Sequence, residues 1–151
     1  MDELRELYQA TILDHNRSPR NFGFLENPKY SADGDNPICG DRLTVHLEVD
    51  ADGRVADVCF QGKGCAIATA SASLMTESVK GRTRQEIDET FVRFHDLVTA
   101  GPGETTDSSE LGKLAVFSGV REYPVRVKCA TLAWHTLMAA LAKEAEAVTT
   151  E

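Results

Sequence analysis

The sequence lacks the features that mark several protein classes. No run of apolar residues approaches the roughly 20 that a membrane-spanning helix needs, so we expect no membrane span. The N-terminus, residues 1–6, is acidic and does not resemble a secretory signal, which predicts a cytoplasmic protein. Aromatic residues make up only 7% of the chain, yet 42% of it is hydrophobic, as is usual for a globular domain.

Positively charged residues are also fewer than negatively charged ones. The chain has 16 lysines and arginines against 24 aspartates and glutamates, a net charge of −8. This balance argues against a nucleic-acid-binding protein, which needs a basic surface to neutralise phosphates. It favours a partner with a basic docking surface, although a solvated acidic surface is the commoner reason for such a charge.

Cysteine is scarce, with four in 151 residues. In a reducing compartment so few cysteines are not expected to form a disulfide framework. Metal binding or thiol chemistry is therefore the leading interpretation. The four are Cys39, Cys59, Cys65 and Cys129.

The patterns that are present predict one domain, residues 1–151, with an α+β fold. Hydrophobic periodicity, turn residues and capping signals predict the following segments: a helix at 3–14, a loop or sheet edge at 16–38, a β-hairpin from 42–49 and 54–60, helices at 65–80, from Thr83, near 109–118 and at 125–145, a surface loop at 101–109, and a frayed tail beyond 147. We expect a small antiparallel sheet of about three strands with helices packed on one face.

Three of the cysteines lie at the ends of predicted elements. Cys39 is on a turn with Pro37 and Gly40, two residues before Asp41. Cys65 begins a helix after a glycine loop, where the helix dipole favours a thiolate. Cys129 is near the start of the last helix, at the margin of its apolar stripe, so we expect it at a rim and not deep in the core.

Three thiolates and one carboxylate offer four ligands that suit tetrahedral zinc, which makes Cys39, Asp41, Cys65 and Cys129 the candidate metal ligands. The spacing is weak evidence, because gaps of 26 and 64 residues match no zinc-finger template. Two other interpretations stay open: the thiols as small buried residues, and Asp41 as a cap for its turn. Cys59 is interpreted as a packed, inert thiol, with a spare redox thiol as the alternative.

Three cysteine segments and the N-terminus carry a resemblance to a known family. The segments are Asn36-Pro-Ile-Cys-Gly-Asp41, Gly62-Lys-Gly-Cys-Ala-Ile-Ala-Thr-Ala-Ser71, Arg126-Val-Lys-Cys-Ala130, and residues 8–23 (YQATILDHNRSPRNFG). They resemble the NifU/IscU-like family of iron–sulfur cluster assembly proteins, and within it the SufU branch most closely. Lys128 stands where cluster scaffolds carry a histidine, and residues 122–127 differ from the Leu-Pro-Pro-Val-Lys signal that scaffolds offer their chaperone.

The resemblance implies a function and a set of roles. It places zinc on Cys39, Asp41, Cys65 and Cys129, and it implies a sulfurtransferase-type acceptor that stimulates a SufS-type cysteine desulfurase. Its sulfur would pass to a downstream cluster scaffold of the SUF system. In that mechanism a histidine of the desulfurase replaces Cys39 on zinc, and the freed thiolate takes the persulfide sulfur.

Local features add to this interpretation and leave alternatives. The Pro/Gly loop gives Cys39 the mobility that a nucleophile needs, and Arg126 is the candidate guide for the acceptor or the partner. The first alternative is a scaffold that holds a transient [2Fe–2S] cluster on the same ligands. The second is a zinc-stabilised interaction module without transfer activity.

Overall fold

A three-stranded antiparallel sheet, whose strands lie side by side in chain order, is packed against helices. The computed structural model describes residues 2–26, 28, 30–101 and 110–150. Its elements are α1 (Asp2–Arg17), β1 (Tyr30–Asn36), β2 (Asp41–Val49), β3 (Val55–Lys63), α2 (Ala66–Val79), α3 (Arg84–Thr99), a 3₁₀ helix (Gly112–Glu122) and α4 (Pro124–Thr150). The predicted α+β class is confirmed.

The central strand β2 follows the alternation read from its sequence. Leu43, Val45 and Leu47 are buried on the helix-covered face, and Val45 lies opposite Ala32 of β1 and Phe60 of β3. Burial of these branched side chains favours the strand conformation. The sheet thus places the β1–β2 turn and the end of β3 at the same end of the strands, where three of the candidate ligands lie.

Helix α4 packs across β1 and β2, and α2 packs beside it. The close approach of α4 to β1 depends on Gly34, since a Cβ at that position would overlap Oγ1 of Thr136 on α4. Deeper in the core the Trp134 ring stacks on Phe91 and Phe94, with centroids 5.9 Å and 5.6 Å away. Tight packing of this kind fixes where the start of α4 meets the sheet.

Helix boundaries agree with the sequence signals at several points. Thr83 and Glu86 form the predicted capping box of α3. Pro124 opens α4, which extends to Thr150 and not to 145, because no glycine or proline interrupts its last residues. Fraying beyond 147 stays a prediction.

The other differences from the predicted elements are local. β1 lies inside the segment predicted as loop or sheet edge, and it forms an edge strand. The helical piece expected near 109–118 is the 3₁₀ helix Gly112–Glu122, whereas residues 102–109 of the predicted surface loop lie outside the described residues. Within the described parts of the chain, none of the helices is long and apolar enough to cross a membrane.

Candidate metal centre

The turn between β1 and β2 places the first two candidate ligands. The Cys39 amide donates a hydrogen bond of 3.3 Å to the Asn36 carbonyl, and Gly40 takes the left-handed conformation, with φ +70°, that closes the turn. Asp41 then opens β2 with its carboxylate fully buried, while Cys39 stays half-buried. A thiol and a carboxylate two residues apart therefore share one end of the sheet.

Helix α4 brings the third candidate ligand to the same point. One ligand atom each from Cys39, Asp41 and Cys129 all lie within 4.8 Å of one another. The two sulfurs, Sγ of Cys129 and Sγ of Cys39, are 3.1 Å apart. We call these three residues the donor cluster.

The position of Cys129 corrects one expectation. Its side chain is completely buried and does not lie at a rim. The β1–β2 turn covers the start of α4, and Asn36 Nδ2 lies 3.7 Å from the Cys129 sulfur and 3.3 Å from Asp41 Oδ2. A margin of an apolar stripe becomes interior once another element packs over it.

Cys65 lies beside the donor cluster and is not one of its three closest members. It is the N-cap residue of α2, and its backbone amide donates a hydrogen bond of 2.9 Å to Asp41 Oδ1. Its thiol is among the groups that raise the pKa of Cys129. The structure therefore brings three of the four predicted ligands together and sets the fourth next to them.

The electrostatics of the cluster favour a bound cation. Burial raises the pKa of the Cys129 thiol far above its usual value, and hydrogen bonds with Cys39, Asp41 and Cys65 raise it further. Without a bound metal, such a thiol is protonated at neutral pH. A metal cation stabilises the thiolate and reverses this preference.

The exposed guanidinium of Arg126 interacts with the sulfur atoms. The negative charge of Cys65 raises the pKa of Arg126, with smaller contributions in the same direction from Cys129 and Cys39. The residue singled out as a candidate guide is therefore within electrostatic reach of all three thiols.

The donor set fits a borderline-soft divalent cation. Two thiolates bound to one tetrahedral zinc stand about 3.8 Å apart, given Zn–S bonds of about 2.3 Å. The Cys39 and Cys129 sulfurs, at 3.1 Å, reach that separation with a side-chain shift of less than about 1 Å. Thiolate and carboxylate donors also suit iron, so the donors alone do not choose between the two metals.

Two other residues support the candidate ligands without being predicted to do so. Asn36 holds Asp41, as described above, and Gly64 leaves room for it, because a Cβ at Gly64 would meet Asp41 Oδ1 at 2.7 Å. Both residues belong to the quoted cysteine segments. Their neighbourhood in the sequence was the available signal, but their contacts are visible only in three dimensions.

The remaining cysteine and the histidines lie elsewhere. Cys59 is buried in β3, and burial, with the nearby Asp57 charge, raises the pKa of its thiol, as expected for a packed thiol. Its cross-strand partner His46 is only 9% exposed. His15 is buried against Ser73, whose Oγ lies 2.7 Å from Nδ1. Within the described residues, neither histidine belongs to the donor cluster.

Comparison with known proteins agrees with this fold and shows the family of the chain. Residues 7–130 match the family described as NifU-like N terminal domain, and the chain belongs to that family. The predicted family resemblance is thereby confirmed, and with it a place among SufU- and IscU-type proteins of iron–sulfur cluster assembly.

Individual relatives cover nearly the whole chain. The chain is 40% identical over 141 residues to the zinc-dependent sulfurtransferase SufU of Bacillus subtilis (strain 168), with 93% of each protein covered. It is 35% identical over 147 residues to the iron–sulfur cluster assembly scaffold protein IscU of Streptococcus pyogenes serotype M1, with 97% of this chain and 90% of that protein covered. The crystal structure of FiSufU from Fervidobacterium islandicum AW-1 matches with a TM-score of 0.79 and 36% identity, over 87% of this chain and 93% of that one.

Proposed function

We propose that this protein is a zinc-dependent sulfur acceptor of iron–sulfur cluster assembly, which takes persulfide sulfur from a SufS-type cysteine desulfurase on Cys39. The observation that carries the proposal is the difference in exposure within the donor cluster. Asp41 and Cys129 are fully buried, whereas Cys39 is half-buried on a turn. A thiol that attacks a sulfur on another protein must be reachable, and Cys39 is the member of the cluster that meets this condition.

Cys65 is also half-buried, but its surroundings suit a ligand better than a nucleophile. It is fixed at the start of α2, and its amide is tied to Asp41. Cys39 lies instead in a short turn between two strands, where a few torsions move the thiol outward. In the proposal, Cys65 and Cys129 are the stationary ligands and Cys39 is the exchangeable one.

Zinc is the cofactor in this proposal, held by Cys39, Asp41, Cys65 and Cys129. When bound, it keeps the thiols deprotonated and protects them from oxidation. The protein's part is to hold the ligands in place: Asn36 positions the Asp41 carboxylate, and the Cys65 amide binds the same carboxylate from the other side.

The transfer itself is a thiol–persulfide exchange. The Cys39 thiolate attacks the outer sulfur of the desulfurase persulfide, and a new S–S bond forms at Cys39 as the original one breaks. The desulfurase cysteine leaves as a thiolate, so no external oxidant or reductant is consumed. Arg126, exposed beside the thiols, stabilises the negative sulfur during the exchange. A downstream cluster scaffold of the SUF system then receives the sulfur.

A cluster scaffold that holds a [2Fe–2S] centre on the same residues is the second candidate. The relative from Streptococcus pyogenes is named as a scaffold, and the donor cluster would accept iron. The family resemblance implies a histidine at this position in cluster scaffolds, so Lys128 favours the function of a sulfur acceptor. The Lys128 side chain is exposed, and a lysine ammonium has no lone pair for a metal.

Metal analysis together with a transfer assay tests the proposal. The wild type and the variants Cys39→Ala and Cys59→Ala are purified, and zinc, iron and acid-labile sulfide are measured per chain. Each is then incubated with a SufS-type desulfurase and cysteine, and the added sulfur is located by mass spectrometry of the peptides.

We expect about one zinc per wild-type chain and a persulfide on Cys39. Cys39→Ala should weaken zinc binding and abolish sulfur transfer, whereas Cys59→Ala, a matched change outside the donor cluster, should leave both intact. Iron with an equal amount of labile sulfide would favour the scaffold. Zinc binding without sulfur transfer would favour a zinc-stabilised interaction module that has no transfer activity.

A further inference from the structure

Four exposed cations lie within three residues of a candidate ligand along the sequence, in a chain that is otherwise strongly acidic. Arg42 follows Asp41, Lys63 is two residues before Cys65, and Lys128 directly precedes Cys129; Arg126 is the fourth. All four side chains are exposed. We call Arg42, Lys63, Arg126 and Lys128 the cationic rim.

The rim forms few ion pairs with the protein's own carboxylates. Among the described residues, Lys63, Arg126 and Lys128 form no salt bridge, and Arg42 reaches only Asp35, at 3.5 Å between two exposed groups. Arg42 and Lys63 are also direct cross-strand partners in the β2–β3 ladder. Like charges opposite each other in a sheet are destabilising. The chain has 24 carboxylates and 16 cations, yet these two cations face each other. An anionic partner that binds there reduces the repulsion between them.

Exposed apolar side chains lie near the rim residues in the sequence, in the β1–β2 turn and at or just before the start of α4. Ile38, next to Cys39, is 65% exposed, and Tyr123 and Val125, just before Arg126, are 61% and 53% exposed. Val125 is one helical turn from Cys129, whose sulfur lies 3.7 Å from the Val125 carbonyl. We call these three residues the apolar patch.

We infer that the cationic rim and the apolar patch together form the docking surface for the sulfur donor, and that the donor presents carboxylates around an apolar anchor. This inference rests on the proposed function and adds the chemistry of the partner's surface. Apolar and aromatic centres with a charged surround are typical of protein–protein interfaces. Ile38 directly precedes Cys39, and Arg42 follows it by three residues. The Cys39 sulfur lies 3.1 Å from that of Cys129, on the same helix as Val125 and Arg126, so a partner seated on both sets of residues faces its thiol.

The inference reverses the expectation drawn from net charge. A total of −8 favours a basic partner surface, but docking responds to the charges nearest the contact. Charges beyond about 10 Å are largely screened at physiological salt. The acidic remainder of the chain then disfavours nucleic acid, while the rim attracts an acidic protein surface.

Binding measured at several salt concentrations tests the inference. The double variant Arg42→Glu/Lys63→Glu is compared with Arg17→Glu/Lys113→Glu, which carries the same change in net charge on exposed cations of α1 and the 3₁₀ helix. Neither pair contains a candidate ligand or Arg126. Affinity for a SufS-type desulfurase is measured by titration, together with maximal stimulation of its turnover and zinc content.

We expect the rim variant to bind on the order of tenfold more weakly at low salt, with a flatter salt dependence, unchanged zinc content and unchanged maximal stimulation. The control variant should bind within about twofold of the wild type. Equal weakening in both variants, or wild-type binding that does not depend on salt, would overturn the inference while leaving sulfur transfer intact. Absence of a persulfide on wild-type Cys39 would instead overturn the proposed function.

A second arm identifies the occupant of the rim. The wild type is titrated with a single-stranded DNA oligonucleotide and, separately, with an anionic low-molecular-weight thiol. Binding of either probe that is lost in the rim variant, with desulfurase binding unchanged, would overturn the inference, because it assigns the cations to a different ligand.

Discussion

The Cys65 backbone amide donates a hydrogen bond of 2.9 Å to Oδ1 of Asp41, which joins two candidate ligands that are 24 residues apart. The bond ties the start of α2 to the start of β2. It depends on Gly64, whose missing side chain leaves space for the same carboxylate oxygen. The arrangement of the ligands is thus set by a contact between elements and not by the ligands alone.

Gly64→Ala should disturb this contact. The added Cβ would lie 2.7 Å from Asp41 Oδ1 and 3.1 Å from the Ala68 Cβ, so the carboxylate has to move. We expect a loss of about 1–3 kcal/mol in the free energy of unfolding and weaker zinc binding. Chemical denaturation and zinc titration measure the two effects. Gly119→Ala is the control, since a Cβ there meets nothing within 4 Å; a similar loss in both variants would contradict the argument.

The stability of the fold should depend on His15 below neutral pH. Burial, and secondarily the positive charge of Arg20, lowers the pKa of His15, and Glu77 only partly opposes this. The unfolded chain, with a histidine pKa of about 6.5, therefore binds the proton first. The stabilisation is complete above that value and declines as the pH falls below it, by at most about 1.4 kcal/mol per pH unit.

Denaturation at a series of pH values measures the His15 effect. His15→Gln should flatten the pH dependence between about pH 7 and pH 5, whereas His95→Gln, at an exposed position, should not change it. If the unfolding free energy of His15→Gln varies with pH as steeply as that of the wild type, a group other than His15 takes up the proton.

The four cysteines should differ in their reactivity toward an alkylating agent. In metal-free protein at about pH 8, we expect the half-buried Cys39 and Cys65 to react before Cys59 and Cys129, because burial raises the pKa of the latter two thiols and limits access. Added zinc should protect Cys39, Cys65 and Cys129 and leave the rate at Cys59 unchanged. Peptide mass spectrometry over time gives the order; fast labelling of Cys129 in folded protein would be inconsistent with its burial.

Arg126→Ala should separate metal binding from sulfur transfer. The side chain is exposed, so the fold and zinc content should be retained, while desulfurase stimulation falls by roughly tenfold because a charge near the thiols is lost. Arg126→Lys should recover part of the activity, since it restores the charge without the planar geometry. Unchanged stimulation in Arg126→Ala would remove this residue from the mechanism.

Much of the fold was predictable because its signals are local. The alternation of Leu43, Val45 and Leu47 predicts β2, and the Thr83 and Glu86 pair predicts the start of α3. Strand β1 was less clear, because its Ser, Gly, Asp and Asn residues have low strand propensity. Its conformation depends on pairing with β2 and on packing under α4, and neither is a local property.

The sequence by itself determined the family, the α+β class and the identity of the candidate ligands, because motifs and periodicity are carried by neighbouring residues. Only the tertiary structure decided how the ligands meet. It buried Cys129 under the β1–β2 turn, left Cys39 accessible and placed Cys65 beside the other three. It also set the exposed cations Arg42 and Lys63 opposite each other on β2 and β3 in a chain of net charge −8, because local charge depends on which elements come together.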